Sequence, residues 1–314
     1  MSASLCRKGC HVISLTALAE NWEHFFHAQV PAAPLALFRI LCGLLLLINA
    51  VLLRPVLEEF CADHGLVDSL FWRQSPHASD LCLFRWLPAS KRNLQLVIAV
   101  HMAGCCCFLL GWHFQLSAAV VFVTLVSLHH RNPWCLSSAD SLLRLITLIC
   151  CLSPSPAACC SIDALLSPPS ADSIDAWQQQ LLRILICVVY LRTVYWKLHG
   201  PLWRDGSAVW YPLWADAWVR FRPPRLFLQP VLIRSATWGV LLLEFSLAVG
   251  LWISECRTPL LVAGITMHLL FDLVLNLQCF SWIMICSLLL FLSPSEANAL
   301  LQLCWPGDLL LSMV

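Results

Sequence analysis

Long apolar stretches alternate with shorter polar ones along the whole chain. A helix that crosses a bilayer needs about 20 mostly apolar residues. The pattern predicts an all-α fold, a polytopic transmembrane helical bundle with about eight spanning helices and a range of seven to nine. The eight predicted spans are residues 35–53, 94–112, 116–128, 141–152, 180–196, 235–254, 259–275 and 277–292, and a weaker ninth is 299–311.

The polar stretches divide the chain into a short N-terminal segment and one membrane domain. Residues 1–33 are predicted to form a polar, interfacial segment, and residues 34–314 a single transmembrane domain. The loops at 54–93 and 199–234 carry basic residues, whereas the loop at 153–176 has neither Lys nor Arg. The positive-inside rule then places the two basic loops in the cytoplasm and, with eight spans, the N-terminus outside.

Composition supports a membrane protein and excludes several other classes. Hydrophobic residues make up 60% of the chain and charged residues 12%, about half of the charged fraction of a soluble domain, which is roughly 25%. The net charge of +1 gives no reason to expect a nucleic-acid partner. Many of the 18 cysteines lie in apolar runs, and no CxxC pair occurs, so no metal site is predicted.

Two pairs of ionisable residues lie four positions apart inside predicted spans. Charges at membrane depth are costly and usually face a partner or a cavity. Asp140 and Arg144 share one helix face and are predicted to pair in a mainly structural role. His268 and Asp272 have the same spacing, so the carboxylate could orient the imidazole; an interhelical hydrogen bond is the alternative.

Three further charges lie within or at the ends of spans. Glu244 has no cation nearby in its own helix, so its partner must come from another helix. Arg39 is assigned mainly to structure. Lys197 ends the fifth span, where it either snorkels to the headgroups or points inward and acts as a general base.

Four stretches in order resemble the HTTM family, the membrane domain shared with vitamin K-dependent gamma-carboxylases. The first, residues 34–45, is similar to the opening helix of the family with its arginine and glycine. The second runs from His129-His130-Arg131-Asn132-Pro133 to Asp140 and Arg144. The third runs from Tyr195-Trp196-Lys197-Leu198 to Val209, and the fourth from His268 to Met284.

The resemblance implies that Lys197 deprotonates a reduced quinone, vitamin K or menaquinol, which then reacts with oxygen. It implies a hydrophobic pocket in the membrane, to which we assign Trp196, Trp203, Trp210, Glu244 and Asn132 as candidates. Lys197, His268 and Asp272 are the candidate catalytic residues, with no metal. The partners expected are the lipid bilayer and the quinone; whether there is a protein partner stays open.

The chain departs from the carboxylase pattern in two places. The carboxylases carry a histidine after an asparagine, whereas here Pro133 follows Asn132, so that role is vacant unless His129 or His130 takes it. The large soluble region that follows the helices in carboxylases has no counterpart before Val314. Quinol chemistry is therefore expected more than peptide carboxylation.

Three functions remain open at this point. A quinol-dependent oxygenase or carboxylase-like enzyme predicts a neutral, buried Lys197 facing a closed apolar pocket that also includes His268. A proton-coupled transporter would use Glu244, Asp272 and His268 as a relay and predicts broken helices or inverted repeats. A non-catalytic membrane scaffold predicts that every charge in the membrane is paired and that Lys197→Met has no effect.

Overall fold

A computed structural model describes residues 15–74, 81–167 and 173–304, and most of this part of the chain is helical. The first half contains α1 (Leu15–His27), α2 (Ala33–Leu53), α3 (Leu57–Cys61), α4 (Ser69–Gln74), α5 (Lys91–Leu110), α6 (Phe114–Arg131), α7 (Ser138–Cys151) and α8 (Ile162–Leu166). The second half contains α9 (Trp177–His199), α10 (Pro201–Arg204), α11 (Pro230–Gly250), α12 (Ser254–Val274), α13 (Phe280–Leu288) and α14 (Pro294–Cys304).

The predicted all-α fold is confirmed, and a helix lies at each of the nine apolar stretches. Residues 305–311 of the ninth stretch lie outside the described residues. By length and composition, four helices are apolar enough to cross a membrane: Ala33–Cys61, Lys91–Leu110, Pro230–Gly250 and Ser254–Val274. The larger number of spans is therefore not established by this criterion, because α7 and α13 are short and α9 carries three basic residues.

Helix boundaries follow from local sequence signals. Ser90 caps α5, since its hydroxyl accepts a hydrogen bond from the N–H of Asn93, and α5 ends at Gly111 with a left-handed φ of 64°. Asp163 accepts hydrogen bonds from the N–H groups of His113 and Phe114, at 2.8 and 2.9 Å, and so caps α6. These contacts hold α5 and α6 as a tight hairpin.

The long helices pack in two connected groups. In the first, α2 packs against α5, α5 against α6 and α6 against α7; in the second, α9 packs against α11, α11 against α12 and α12 against α13. A Cβ on Gly43 would lie 2.8 Å from Cα of Leu109, so α2 and α5 approach too closely for any side chain at this position. One continuous apolar core joins both groups.

A short β-ribbon ties the N-terminal segment to the bundle. Strands β1 (Gln29–Pro31) and β2 (Ser173–Asp175) pair antiparallel, with Val30 opposite Ile174. Both strands lie in stretches that the sequence predicts to be irregular. The ribbon holds α1 against α9, where the exposed Trp22 of α1 is suited to a membrane interface.

Candidate functional site

A cavity of about 530 Å³ lies between α9, α11, α12 and α13. Its lining combines eight apolar or aromatic residues with nine polar ones. The apolar and aromatic residues are Leu136, Val189, Leu277, Met284, Trp134, Trp218, Phe271 and Phe280, and the polar residues are Ser137, Ser138, Tyr190, Thr193, Lys197, Glu244, His268, Asn276 and Gln278. Apolar walls with polar groups that fix the orientation of a ligand are typical of a small-molecule site.

Lys197 and Glu244 form an ion pair at the wall of this cavity. Nζ of Lys197 on α9 lies 2.5 Å from Oε1 of Glu244 on α11, and the hydroxyl of Thr193 donates to Oε2 at 3.3 Å. The two charged side chains are 20% and 8% exposed. Lys197 therefore points inward, and Glu244 takes its partner from another helix, as the sequence requires.

The enzyme hypothesis predicts a neutral, buried Lys197. The side chain is largely buried, and its amine lies against the carboxylate of Glu244. The ammonium is also held from a second side. Nζ of Lys197 lies 4.6 Å from the centre of the Trp203 ring, within the range of a cation–π contact.

His268 pairs with Tyr190 and not with Asp272. The Tyr190 hydroxyl lies 2.9 Å from Nε2 of the buried His268, and Nδ1 has no partner among the described residues. The carboxylate of Asp272 instead accepts from Arg220 at 3.2 Å. The cause is a bridge between Val219 and Leu275 that brings Arg220 to the end of α12. Of the two alternatives for His268, the interhelical hydrogen bond is therefore the one that forms.

Sequence reasoning missed Tyr190, although a signal was present. Tyr190, Thr193 and Lys197 stand at positions i, i+3 and i+7 of α9 and so share one helix face. All three line the cavity. A search for polar residues at helical spacing before Lys197 would have found both additional side chains.

The predicted Asp140–Arg144 pair is also not formed. Oδ2 of Asp140 accepts from the N–H and the hydroxyl of Ser137, both at 2.8 Å, and completes a capping box at the start of α7. Its other oxygen, Oδ1, lies 3.5 Å from Nε2 of His129. Arg144 donates to Ser141 at 3.1 Å.

The remaining candidates lie at different distances from the cavity. Of the three predicted tryptophans, Trp203 contacts Lys197, Trp210 stacks on Trp214 with ring centres 5.3 Å apart, and Trp196 is 60% exposed. Asn132 lines a different cavity. The fully buried Arg39 donates to the carbonyl oxygens of Leu109 and Cys160 and joins α2 to the end of α5.

An apolar groove of about 640 Å³ continues from the cavity between α7 and α9. The groove and the cavity share Ser138, Val189, Thr193, Lys197 and Phe280. Its outer walls include Leu145 on α7 and Trp196 on α9, both exposed. The groove and the Lys197 cavity therefore share part of their walls.

No metal centre accompanies this site. Within residues 15–74, 81–167 and 173–304, no group of three or more His, Cys, Asp or Glu side chains is placed to hold a metal ion.

The fold is that of a helical membrane protein in which a pair of charged side chains lines a cavity between helices. The model of the HTTM domain matches residues 27–295, most of the chain, and the chain belongs to the HTTM family, which makes it a membrane protein related to the gamma-carboxylase domain.

Two relatives from Bacillus subtilis (strain 168) match shorter segments. The uncharacterized protein YitO is 28% identical over 124 residues, which are 38% of this chain and 40% of YitO. The sporulation-delaying protein SdpB is 28% identical over 133 residues, 40% of this chain and 41% of SdpB. The chain thus spans about two fifths of the length of each relative. No solved structure matches the chain.

Proposed function

We propose that this chain is a multi-pass membrane enzyme of about eight spans that takes a reduced quinone and initiates a carboxylase-like oxygenation. The spans would be α2, α5, α6, α7, α9, α11, α12 and α13. The observation that carries the proposal is the Lys197–Glu244 pair, which faces one aromatic cavity together with Tyr190 and His268.

The ion pair contains a base whichever partner holds the proton. If Lys197 is an ammonium, the carboxylate of Glu244 is the base; if the proton lies on Glu244, the Lys197 amine is the base. A quinol hydroxyl placed against the pair gives up its proton, and the electron pair stays on the quinol oxygen as a quinolate. Because the two groups are in direct contact, a proton passes from one to the other with little rearrangement of the side chains.

The Tyr190–His268 pair supplies a second polar contact. Tyr190 OH and the imidazole are 2.9 Å apart, and Nδ1 of His268 has no partner among the described residues. A quinol carries two hydroxyl groups on opposite sides of its ring. We place one against Lys197 and Glu244 and the other towards the Tyr190–His268 pair, which would orient the ring.

The size and lining of the site fit a lipid-soluble quinone. A cavity of about 530 Å³ lies within the roughly 300–1,000 Å³ range of small-molecule sites. Phe271, Phe280 and Trp218 offer flat surfaces for an aromatic ring. The apolar groove between α7 and α9 would hold the hydrocarbon tail.

Quinol turnover tests the proposal. Purified protein in lipid receives reduced vitamin K or menaquinol and oxygen, with or without bicarbonate and a glutamate peptide, and chromatography follows the quinone epoxide. We expect epoxide from the wild type and its loss with Lys197→Ala. Lys91→Ala is the matched control, since Lys91 pairs with Glu58 at the exposed start of α5.

A membrane scaffold is the second candidate, because Lys197–Glu244 and Arg220–Asp272 are both closed ion pairs. A well-folded wild type that forms no epoxide would overturn the enzyme proposal and favour the scaffold. The contacts of the charges do not favour the transporter relay, since Glu244 and Asp272 each pair with a basic residue and not with His268.

A further inference from the structure

A separate cavity of about 500 Å³ lies where α3 packs against α5. Within the described residues, its lining shares no side chain with the Lys197 cavity or with the groove between α7 and α9. Three residues of the lining are exposed, namely Arg54, Gln95 and Ala99. The cavity is therefore open at the surface of the bundle, and a molecule from outside can reach it.

The lining changes from polar to apolar along α5. Four of its residues share one face of this helix: Gln95, Ile98, Ala99 and Met102. Opposite them, Glu58 of α3 lies at the polar end, since its Oε1 accepts from Nε2 of Gln95 at 3.4 Å. A ligand that fits this cavity therefore has a polar group next to an apolar chain.

Arg54 is the charge in this lining that lacks a counter-ion. Its guanidinium makes no hydrogen bond or ion pair with any residue that the structure describes. The carboxylate of Glu58 is already matched, because both of its oxygens lie 3.1 Å from Nζ of Lys91. The two cations and the one carboxylate leave one positive charge, so the cavity favours an anionic group.

The polar end of the cavity lies at a membrane surface. Two helical stretches that are long and apolar enough to cross a membrane, Ala33–Cys61 and Lys91–Leu110, meet here. The contact between Glu58 and Lys91 joins the end of the first stretch to the start of the second. Charged side chains at the ends of two spans are expected at the level of the lipid headgroups.

The apolar end reaches the level of the acyl chains. From Gln95 to Met102 the helix advances by seven residues, roughly 10 Å at about 1.5 Å per residue. Met102 thus lies in the hydrocarbon region of the bilayer. Arg54 precedes Glu58 by one helical turn on the membrane side, so it lies between the two levels.

We propose that this cavity binds an anionic phospholipid, whose phosphate oxygens accept from Arg54 and whose acyl chain begins against Ile98 and Met102. A guanidinium presents a fork of N–H donors that matches two phosphate oxygens. A zwitterionic lipid fits less well, because Glu58, the partner for its ammonium, is already held by Lys91. The inference does not depend on the quinol chemistry proposed above.

A lipid titration followed by native mass spectrometry tests the proposal on the full chain in detergent micelles. Phosphatidylglycerol and phosphatidylcholine with the same acyl chains are added separately, and the fraction of lipid-bound protein gives each affinity. We expect the first phosphatidylglycerol to bind at a concentration about ten-fold lower than the first phosphatidylcholine. Glycerol 3-phosphate, which lacks acyl chains, should not displace the lipid, because the chain supplies the apolar contact. Displacement at an equal concentration would show a site for free phosphate esters and overturn the lipid.

Variants then assign the phosphate contact. Arg54→Met should lower the affinity for phosphatidylglycerol about ten-fold and change that for phosphatidylcholine by less. Arg92→Met is the matched control, because Arg92 is an exposed arginine at the same end of α5 but lies outside this lining. Ala99→Trp fills the apolar part with every charge kept and should weaken the binding of both lipids. Equal affinities of the wild type for the two lipids, or equal losses with Arg54→Met and Arg92→Met, would overturn the proposal.

Discussion

The Lys197–Glu244 pair should behave as one energetic unit. At 2.5 Å, Coulomb's law with an effective dielectric constant of about 20 gives an attraction of roughly 7 kcal/mol, an upper bound because desolvation opposes it. Lys197→Met or Glu244→Leu alone leaves one charge without its partner and should cost about 3–5 kcal/mol of unfolding free energy. The double variant removes both charges and should be more stable than the less stable single variant.

The assay is a double-mutant cycle of unfolding free energies in mixed micelles, with a denaturing detergent as titrant and tryptophan fluorescence as the signal. We expect a coupling energy of about 3 kcal/mol between the two substitutions. Thr193→Val is the control, since it removes only the 3.3 Å hydrogen bond to Glu244 and should cost about 1 kcal/mol. The pair would be refuted if the two single-variant losses of unfolding free energy summed to the loss of the double variant within about 0.5 kcal/mol.

Three further predictions concern Tyr190 at the site, Asp272 near it, and Cys160 in a loop elsewhere in the bundle. Tyr190→Phe leaves both nitrogens of His268 without a protein partner. It should lower the unfolding free energy by about 1–3 kcal/mol in the same titration. An unchanged unfolding free energy would contradict the Tyr190–His268 hydrogen bond. Asp272→Asn should cost less than about 1 kcal/mol, because Arg220 is half-exposed; a loss above about 2 kcal/mol would show that Asp272 has a larger role. The pKa of Cys160, in the loop after α7, is lowered to about 7. The main cause is a hydrogen bond with the Cys159 thiol; burial opposes the shift, and the charge of Arg39 adds to it. The alkylation rate of Cys160, followed by mass spectrometry, should therefore rise through pH 7, and Cys159→Ala should move this midpoint to higher pH; an unchanged midpoint would contradict the hydrogen bond.

The helices could be predicted from sequence because each depends on a continuous local pattern. The apolar runs of α2 and α5 locate their helices within a few residues. The β-ribbon could not be predicted, since its strands are three residues each and Gln29 pairs with Asp175, far away in the chain. Nothing in the local pattern of either strand marks its partner.

The sequence could identify candidate site residues within one helix, but not the contacts that they make with other helices. Lys197 was identified as a candidate base, but its partner Glu244 comes from another helix and depends on how α9 packs on α11. The spacing of Asp140 and Arg144 suggested an ion pair, yet the Ser-x-x-Asp pattern at Ser137 and Asp140 is also the signature of a capping box, and the capping box forms instead. Local spacing therefore permits a contact without deciding between competing partners.

The most direct test of the central claim is a structure of the protein in lipid nanodiscs with menaquinol, determined by electron microscopy. The account predicts density for the quinol ring in the cavity of Lys197 and Tyr190, with one ring oxygen within hydrogen-bonding distance of Lys197 or Glu244 and the tail in the groove between α7 and α9. A saturated sample in which this cavity holds no quinol, or in which the ring lies away from Lys197, would contradict it.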